Sequence, residues 1–141
     1  MQVRESMSSP AVTIAPETTL HDASGKMLQH RIGSVIVVDQ GPIGILTRSD
    51  VLRIAYFTGT PLTNQQVSEG MSTDLVTIEQ SSSVESALET MEEQGIKKLP
   101  VVDNFELLGI ITMTDIARHQ PEHAREVRYR LERKDEWTME E

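Results

Sequence analysis

The sequence predicts a mixed α/β (α+β) fold made of two copies of a β-α-β-β-α unit, followed by a charged helix. Three observations carry this. The chain repeats itself at a nearly constant offset, its apolar residues alternate between strand-like and helix-like spacing within each copy, and its last twenty-odd residues have a different texture. Sliding the sequence by 64 positions sets Met7-Ser8 on Met71-Ser72, Val12-Thr13-Ile14 on Val76-Thr77-Ile78, Ala23 on Ala87, and Val37-Val38-Asp39 on Val101-Val102-Asp103. One extra residue in the second copy, in the turn after Asp103, makes the offset 65. Gly44-Ile45 then meets Gly109-Ile110, Thr47 meets Thr112, and Asp50 meets Asp115.

Each copy opens on a short β-branched strand, Ala11–Ile14 or Leu75–Ile78. Helix entries follow at residues 16–19 and 80–83, where Ser82 and Glu85 have capping-box spacing. Val84, Ala87, Leu88 and Met91 then fall on one helical face, as Leu20, Ala23, Met27 and Leu28 nearly do. Gly95 is placed to end the second helix; the first has Arg31 there. The apolar runs Val35–Val38 and Leu99–Val102 read as buried strands, each turning into a hairpin partner, Ile43–Thr47 and Leu107–Thr112. Short helices close the copies at Ser49–Tyr56 and Thr114–His119. The expected organisation is a first repeat over 1–56, a linker over 57–70, a second repeat over 71–119 and a charged helical tail over 120–141. In the tail, Pro121 can begin a helix, and Ala124, Val127 and Leu131 form a thin apolar seam.

Composition narrows the function. The 141 residues suffice for one ordinary domain, but half of them would make a marginal one, so the copies should need each other or a partner. With 4% aromatics the core must be aliphatic. The absence of cysteine rules out disulfides and thiolate chemistry and fits a cytoplasmic setting. No signal peptide and no apolar run of membrane-spanning length is evident, which argues for a soluble protein. The net charge of −9, concentrated before residue 118, argues against general binding to nucleic-acid backbones. It leaves room for a small anion held by local donors.

The chemistry sits in Gly44-Ile45-Leu46-Thr47-Arg48-Ser49-Asp50 and its echo Gly109-Ile110-Ile111-Thr112-Met113-Thr114-Asp115. Each reads as a glycine turn, a strand, and a hydroxyl-rich step into a helix with an aspartate. A carboxylate can accept two hydrogen bonds from a cis-diol, and hydroxyls and helix-start amides can meet a phosphate. From spacing alone, Ser49 and Thr114 as helix caps, with the aspartates complementing the helix dipole, is the simpler reading.

With these motifs in order, twice, and with Gly95-Ile96-Lys97-Lys98-Leu99-Pro100-Val101-Val102-Asp103 before the second hairpin, the chain resembles tandem cystathionine-β-synthase (CBS) domain pairs, or Bateman modules. The resemblance covers about residues 1–119, and with no room for an attached domain it is to the stand-alone members. It implies two repeats packed through their sheets with pseudo-twofold symmetry, leaving clefts for AMP, ADP, ATP or S-adenosylmethionine. Such a module is a non-catalytic sensor signalling to a regulated partner; no cofactor is required, and a homodimer is expected.

The resemblance turns Asp50 and Asp115 into ribose ligands, with Thr47, Ser49, Thr112 and Thr114 as hydroxyl partners. It places an adenine slot along Thr13, Ile14, Thr77 and Ile78 and along Ile32, Gly33, Ser34, Ile96, Lys97, Lys98, Leu99 and Pro100; many of these apolar side chains are expected to be core. Copy one has Ile36 where copy two has Pro100. Arg31, Arg48, Lys97 and Lys98 are candidates for phosphate, and Arg48 against Met113 suggests unequal sites.

Other signals are weaker. His119-Gln120-Pro121-Glu122-His123 matches H-x-x-E-H, but Pro121 interrupts the helix that a zinc site needs. The basic residues of the tail are interleaved with acids, and Trp137 alone suggests packing. The rival to a sensor is a constitutive dimeric scaffold with vestigial clefts.

Overall fold

The computed structural model describes residues 1–132. The tail expectations for residues 133–141, Trp137 included, lie outside the described residues. In chain order the elements are β1 (Thr13–Ile14), α1 (Leu20–His30), β2 (Ser34–Val38), β3 (Pro42–Thr47), α2 (Arg48–Thr58), β4 (Ile78–Glu79), α3 (Val84–Gln94), β5 (Lys98–Asp103), β6 (Glu106–Thr112), α4 (Met113–His119) and α5 (Ala124–Glu132). Short 3-10 turns stand at Val3–Glu5, Leu62–Asn64, Val67–Glu69 and Pro121–His123. Among the described residues no helix is long and apolar enough to cross a membrane.

Each copy forms a three-stranded sheet, ordered β1-β2-β3 or β4-β5-β6. The first strand runs parallel to the middle one and the third antiparallel to it. The middle strands are the apolar runs: Val35, Ile36 and Val37 are at most 1% exposed, and Leu99 and Val101 are fully buried. A strand with neighbours on both sides must be apolar on both faces if both are covered.

Two compact units result, and they do not divide where the repeats divide along the chain. Of the described residues, one unit is Val12–Leu75; the other joins Met1–Ala11 to residues 76–132. The reason is visible in two leading turns, Val3–Glu5 and Val67–Glu69, which themselves obey the 64-residue offset. Val67 is buried in the first unit's core with Leu20, Ala23, Met27, Val35, Val37 and Leu46. Val3 is buried in the second unit's core with Val84, Ala87, Met91, Leu99, Ile111 and Ile116. The turn that precedes each repeat therefore completes the unit built from the other repeat.

The glycines of the doubled motif serve this arrangement. They were expected to make turns, but Gly44 lies within β3 and Gly109 within β6. Ser72 bridges to Ile45, and Ser8 bridges to Ile110. A Cβ on Gly44 would stand 2.7 Å from the Ser72 carbonyl oxygen, and one on Gly109 would fall on that of Ser8. Only glycine lets the two backbones come so close.

Helix ends follow local chemistry. α1 is capped by Thr19, whose side chain accepts from the Asp22 amide, and α3 by Ser83, which accepts from the Ser86 amide. The cap thus stands one residue beyond the expected Ser82, and the third helical position holds Ser86 rather than Glu85, so the expected Ser82–Glu85 box is not what caps this helix. Both helices end on a left-handed residue, Arg31 at φ 56° and Gly95 at φ 68°. In the second unit α5 packs on α4, and its Val127 enters the core at 2% exposure.

Candidate functional site

In the first unit Ser34, at the start of β2, lies opposite Thr47, at the end of β3. The loop Arg31–Gly33 and the start of α2 therefore converge. Thr47 caps α2: its Oγ1 accepts from the Asp50 amide at 3.1 Å, and Asp50 Oδ2 accepts from the Thr47 amide at 2.9 Å. Asp50 Oδ1 accepts from Arg53 at 2.9 Å. The second unit repeats this. Lys98 lies opposite Thr112, Thr112 Oγ1 accepts from the Asp115 amide at 2.9 Å, and Asp115 Oδ2 accepts from the Thr112 amide at 3.1 Å. Arg118 stands 3.9 Å from Asp115 Oδ1.

Two expectations are corrected here. The caps are Thr47 and Thr112, not Ser49 and Thr114, because the capping residue must stand three before the aspartate for a reciprocal box to close. The helix-start amides are also mostly engaged. The Arg48 amide donates to the Gly33 carbonyl at 3.0 Å and the Met113 amide to that of Lys97 at 3.1 Å. With the Asp50 and Asp115 amides held by threonine, these bonds leave only the amides of Ser49 and Thr114 as first-turn donors.

Asp50 is 8% exposed and Asp115 6%. A carboxylate offers about four lone-pair sites, so one amide and one arginine do not exhaust it. The box fixes the carboxylate's orientation and leaves acceptor capacity on a small exposed edge. Capping and hydrogen bonding to a ligand hydroxyl are compatible.

The residues beside the aspartates differ between units. Arg48 is exposed and its guanidinium lies over Gly33, while Met113 is buried in the second unit's core. Conversely Ser49 is buried at 2% exposure and Thr114 is exposed. The two hydroxyls named together in sequence occupy different environments.

Of the residues expected to form an adenine slot, Ile14, Ile78 and Leu99 belong to the cores, and Ile32 and Ile96 pack against them. Pro100 is buried in β5. In the first unit the Ile36 amide donates to the Val12 carbonyl at 3.1 Å. Pro100 has no amide to do the same for Val76. Accordingly β4 begins at Ile78, whereas β1 begins at Thr13, the counterpart of Thr77.

Sequence reasoning did not find an open cavity of about 890 Å³ in the first unit. It is lined by β1 and the loop after it (Thr13, Ile14, Ala15, Thr18), by the polar face of α1 (His21, Asp22, Gly25, Lys26, Gln29) and by Val38. Lys26 spans it, donating to the Thr13 carbonyl at 2.7 Å. The helical spacing of those polar residues was the available signal. The cavity takes in Thr13 and Ile14 but none of residues 32–34 or 47–50.

The H-x-x-E-H residues do not converge on a metal position. Pro121 starts a 3-10 turn, and His123 turns to Glu85 at 3.3 Å and Glu126 at 3.5 Å through different ring nitrogens. Among the described residues no group of three or more potential ligands could hold a metal. Glu85 has its carboxyl held below the ordinary carboxylate value, first by a backbone hydrogen bond and then by the His123 imidazole.

Comparison with known proteins fits this geometry. The CBS domain family model matches residues 3–56 and again residues 66–122. The CBS domain-containing protein YhcV of Bacillus subtilis is 36% identical over 123 residues, covering 84% of each chain. The uncharacterized protein MK0525 of Methanopyrus kandleri is 34% identical, and the match spans 63% of its length. Among solved structures, Hypoxic Response Protein I, described with two coordinated zinc ions, superposes with a TM-score of 0.78 at 27% identity over 86% of this chain and 100% of its own. The CBS domain pair of protein MJ0100, in complex with 5′-methylthioadenosine and S-adenosyl-L-methionine, gives 0.75 at 24% identity over 86% and 97%. With two matches that between them take in most of its length, each beginning at a leading turn and running past the Thr-x-x-Asp box, the chain belongs to the CBS domain family as a tandem pair.

Proposed function

We propose that the protein is a non-catalytic regulatory module that binds an adenosine-containing ligand, AMP, ADP, ATP or S-adenosylmethionine, and passes the bound state to a partner protein in the cytoplasm. The observation that carries this reading is the twofold Thr-x-x-Asp box. Twice, a carboxylate is fixed by its own helix cap, almost fully shielded, and left with acceptor capacity beside cationic side chains. Ribose presents a cis-diol that such a carboxylate can accept from. Val76, released from its strand bond by Pro100, offers a carbonyl to the amino edge of adenine. A CBS pair of the same fold is described in complex with 5′-methylthioadenosine and S-adenosyl-L-methionine, which supports testing this ligand class. Ligand binding would act by favouring one of two arrangements of the chain through differential affinity.

Calorimetry with AMP, ATP, 5′-methylthioadenosine and S-adenosylmethionine tests the reading. Binding should weaken in Asp50→Ala or Asp115→Ala while the fold, checked by melting, persists. No heat from any of the four would refute it.

A second reading has its own support. Leu28 on α1 and Leu52, Tyr56 and Phe57 on α2 are 60 to 81% exposed. Large apolar side chains left exposed on neighbouring helices suit an interaction surface, and a homodimer through the first unit is the proposed occupant. If the protein is a ligand-indifferent scaffold, light scattering will report a dimer and calorimetry nothing.

A further inference from the structure

We propose that Gly33/Arg48 and Lys97/Met113 are reciprocal solutions to one requirement, a cation at the mouth of each Thr-x-x-Asp box, and that this cation makes both sites select phosphate-bearing adenosine ligands over the sulfonium ligand. The proposal rests on the adenosine reading above and assigns it a ligand charge.

The members of each pair are neighbours. The Arg48 amide donates to the Gly33 carbonyl and the Met113 amide to the Lys97 carbonyl, at 3.0 and 3.1 Å. In the first unit the cation comes from the helix side. A Cβ on residue 33 would stand 3.1 to 3.3 Å from Nε, Nη2 and Cζ of Arg48, so the guanidinium lies against the glycine and glycine makes its seat. In the second unit the cation comes from the loop side. Lys97 is half-buried, makes no side-chain hydrogen bond or ion pair among the described residues, and its neighbour Met113 has turned into the core at 3% exposure. Arg53 and Arg118 are already turned to their aspartates; beyond them, lysine and arginine together would crowd two like charges into one place, and glycine with methionine would leave no further cation. Each unit holds one of the two workable combinations.

A second feature points the same way. Arg31 ends α1 at φ 56°, in the left-handed region where Gly95 ends α3. A non-glycine residue is disfavoured there, yet the first unit keeps an arginine. Counting the connecting loop, the first residue of the strand after it and the first helical position, the first unit has Arg31 and Arg48 and the second Lys97 and Lys98. The charge is equal although no basic position is shared. Phosphate gains from a neighbouring cation through charge-assisted hydrogen bonds, whereas a sulfonium is repelled.

The test is calorimetry of the full chain with AMP, 5′-methylthioadenosine and S-adenosylmethionine. Arg48→Met should weaken AMP about tenfold at one of two sites and leave 5′-methylthioadenosine unchanged. Adding Gly33→Lys to Arg48→Met should restore AMP to within about threefold, because the first unit then carries the second unit's combination. The mirror variant, Lys97→Gly with Met113→Arg, should keep AMP binding at the other site. AMP binding indifferent to Arg48→Met, a double variant no better than the single, or equal loss of the neutral ligand would each overturn the proposal. A wild-type chain that binds neither AMP nor 5′-methylthioadenosine sinks the adenosine reading itself, and the swap with it.

Discussion

Replacing Gly109 by alanine tests how the second unit is closed. The new Cβ would fall on the Ser8 carbonyl oxygen, with Met7 Sδ 3.3 Å away. Met7 Sδ belongs to a flexible side chain and can shift, but the Ser8 carbonyl cannot: Ser8 is held by two backbone bonds, its amide to Ile110 O at 2.8 Å and its carbonyl from the Ile110 amide at 3.0 Å. To make room the segment must move by about an ångström, losing both bonds at about 1 kcal/mol each. Overpacking adds about 1–3 kcal/mol. The expected cost is therefore about 3–5 kcal/mol, a large share of the roughly 5–15 kcal/mol that a domain possesses. Gly44→Ala is the milder relative, since its Cβ meets the Ser72 carbonyl at 2.7 Å and Met71 Sδ at 3.0 Å; about 2 kcal/mol is expected. Gly25→Ala is the opposite control. It lies inside α1 with nothing within 4 Å of its Cβ, so alanine should stabilise by about 1 kcal/mol. Urea unfolding with a constant m-value gives all three. A cost below 1 kcal/mol for Gly109→Ala, or an order other than 109, 44, 25, would refute the close-approach account.

Thr47→Val and Thr112→Val should each cost about 1 kcal/mol by opening one arm of a capping box, read by thermal melts. Phe105, at φ 74° and 87% exposed in the β5–β6 turn after Asn104 at φ 50°, occupies a place suited to glycine. Phe105→Gly should raise stability by about 0.5–1 kcal/mol, and a loss of stability would contradict the turn assignment. Because the Glu85 carboxyl is held below its ordinary value of 4.5, its contribution is present above that value and lost as pH falls through the lowered one. Glu85→Gln should accordingly flatten the decline of the urea midpoint on the acid side, and parallel wild-type and variant curves would exclude a role for the His123–Glu85 contact.

Local pattern was a good guide to elements and a poor guide to who packs with whom. The middle strands were legible because burial on both faces forces the unbroken runs Val35–Val38 and Leu99–Val102. Gly95 was legible as a helix end because helices commonly stop on a left-handed glycine; that Arg31 takes the same conformation was not, since arginine carries no such signal. The exchanged leading turns were not legible: Val3 and Val67 obey the repeat offset, but an offset does not say which core receives them. The role of Gly44 and Gly109 was missed for the same reason, since what requires them lies about a hundred residues away for Gly109 and in a later turn for Gly44. At the site, the Thr and Asp positions could be read, but which hydroxyl caps could not be judged until the first helical residue was known. The contrast of Arg48 with Met113 could be read from the repeat; that Gly33 and Lys97 stand beside them could not, because it depends on the backbone bond joining each loop to its helix start.

The traded leading turns bear on how such a chain could arise and be divided. A lone ancestral repeat of this layout would close its core only with another molecule's leading turn, so it would have been an exchanged pair from the outset. Joining two copies head to tail turns that intermolecular debt into a tethered one, at an effective concentration on the order of millimolar. The same geometry decides where the chain can be cut. A fragment ending near residue 65 carries the turn its absent sibling needs and lacks its own, whereas 12–75 holds every segment of one unit. Mixed fragments that regain structure only when each supplies the other's turn would be the signature of that shared ancestry.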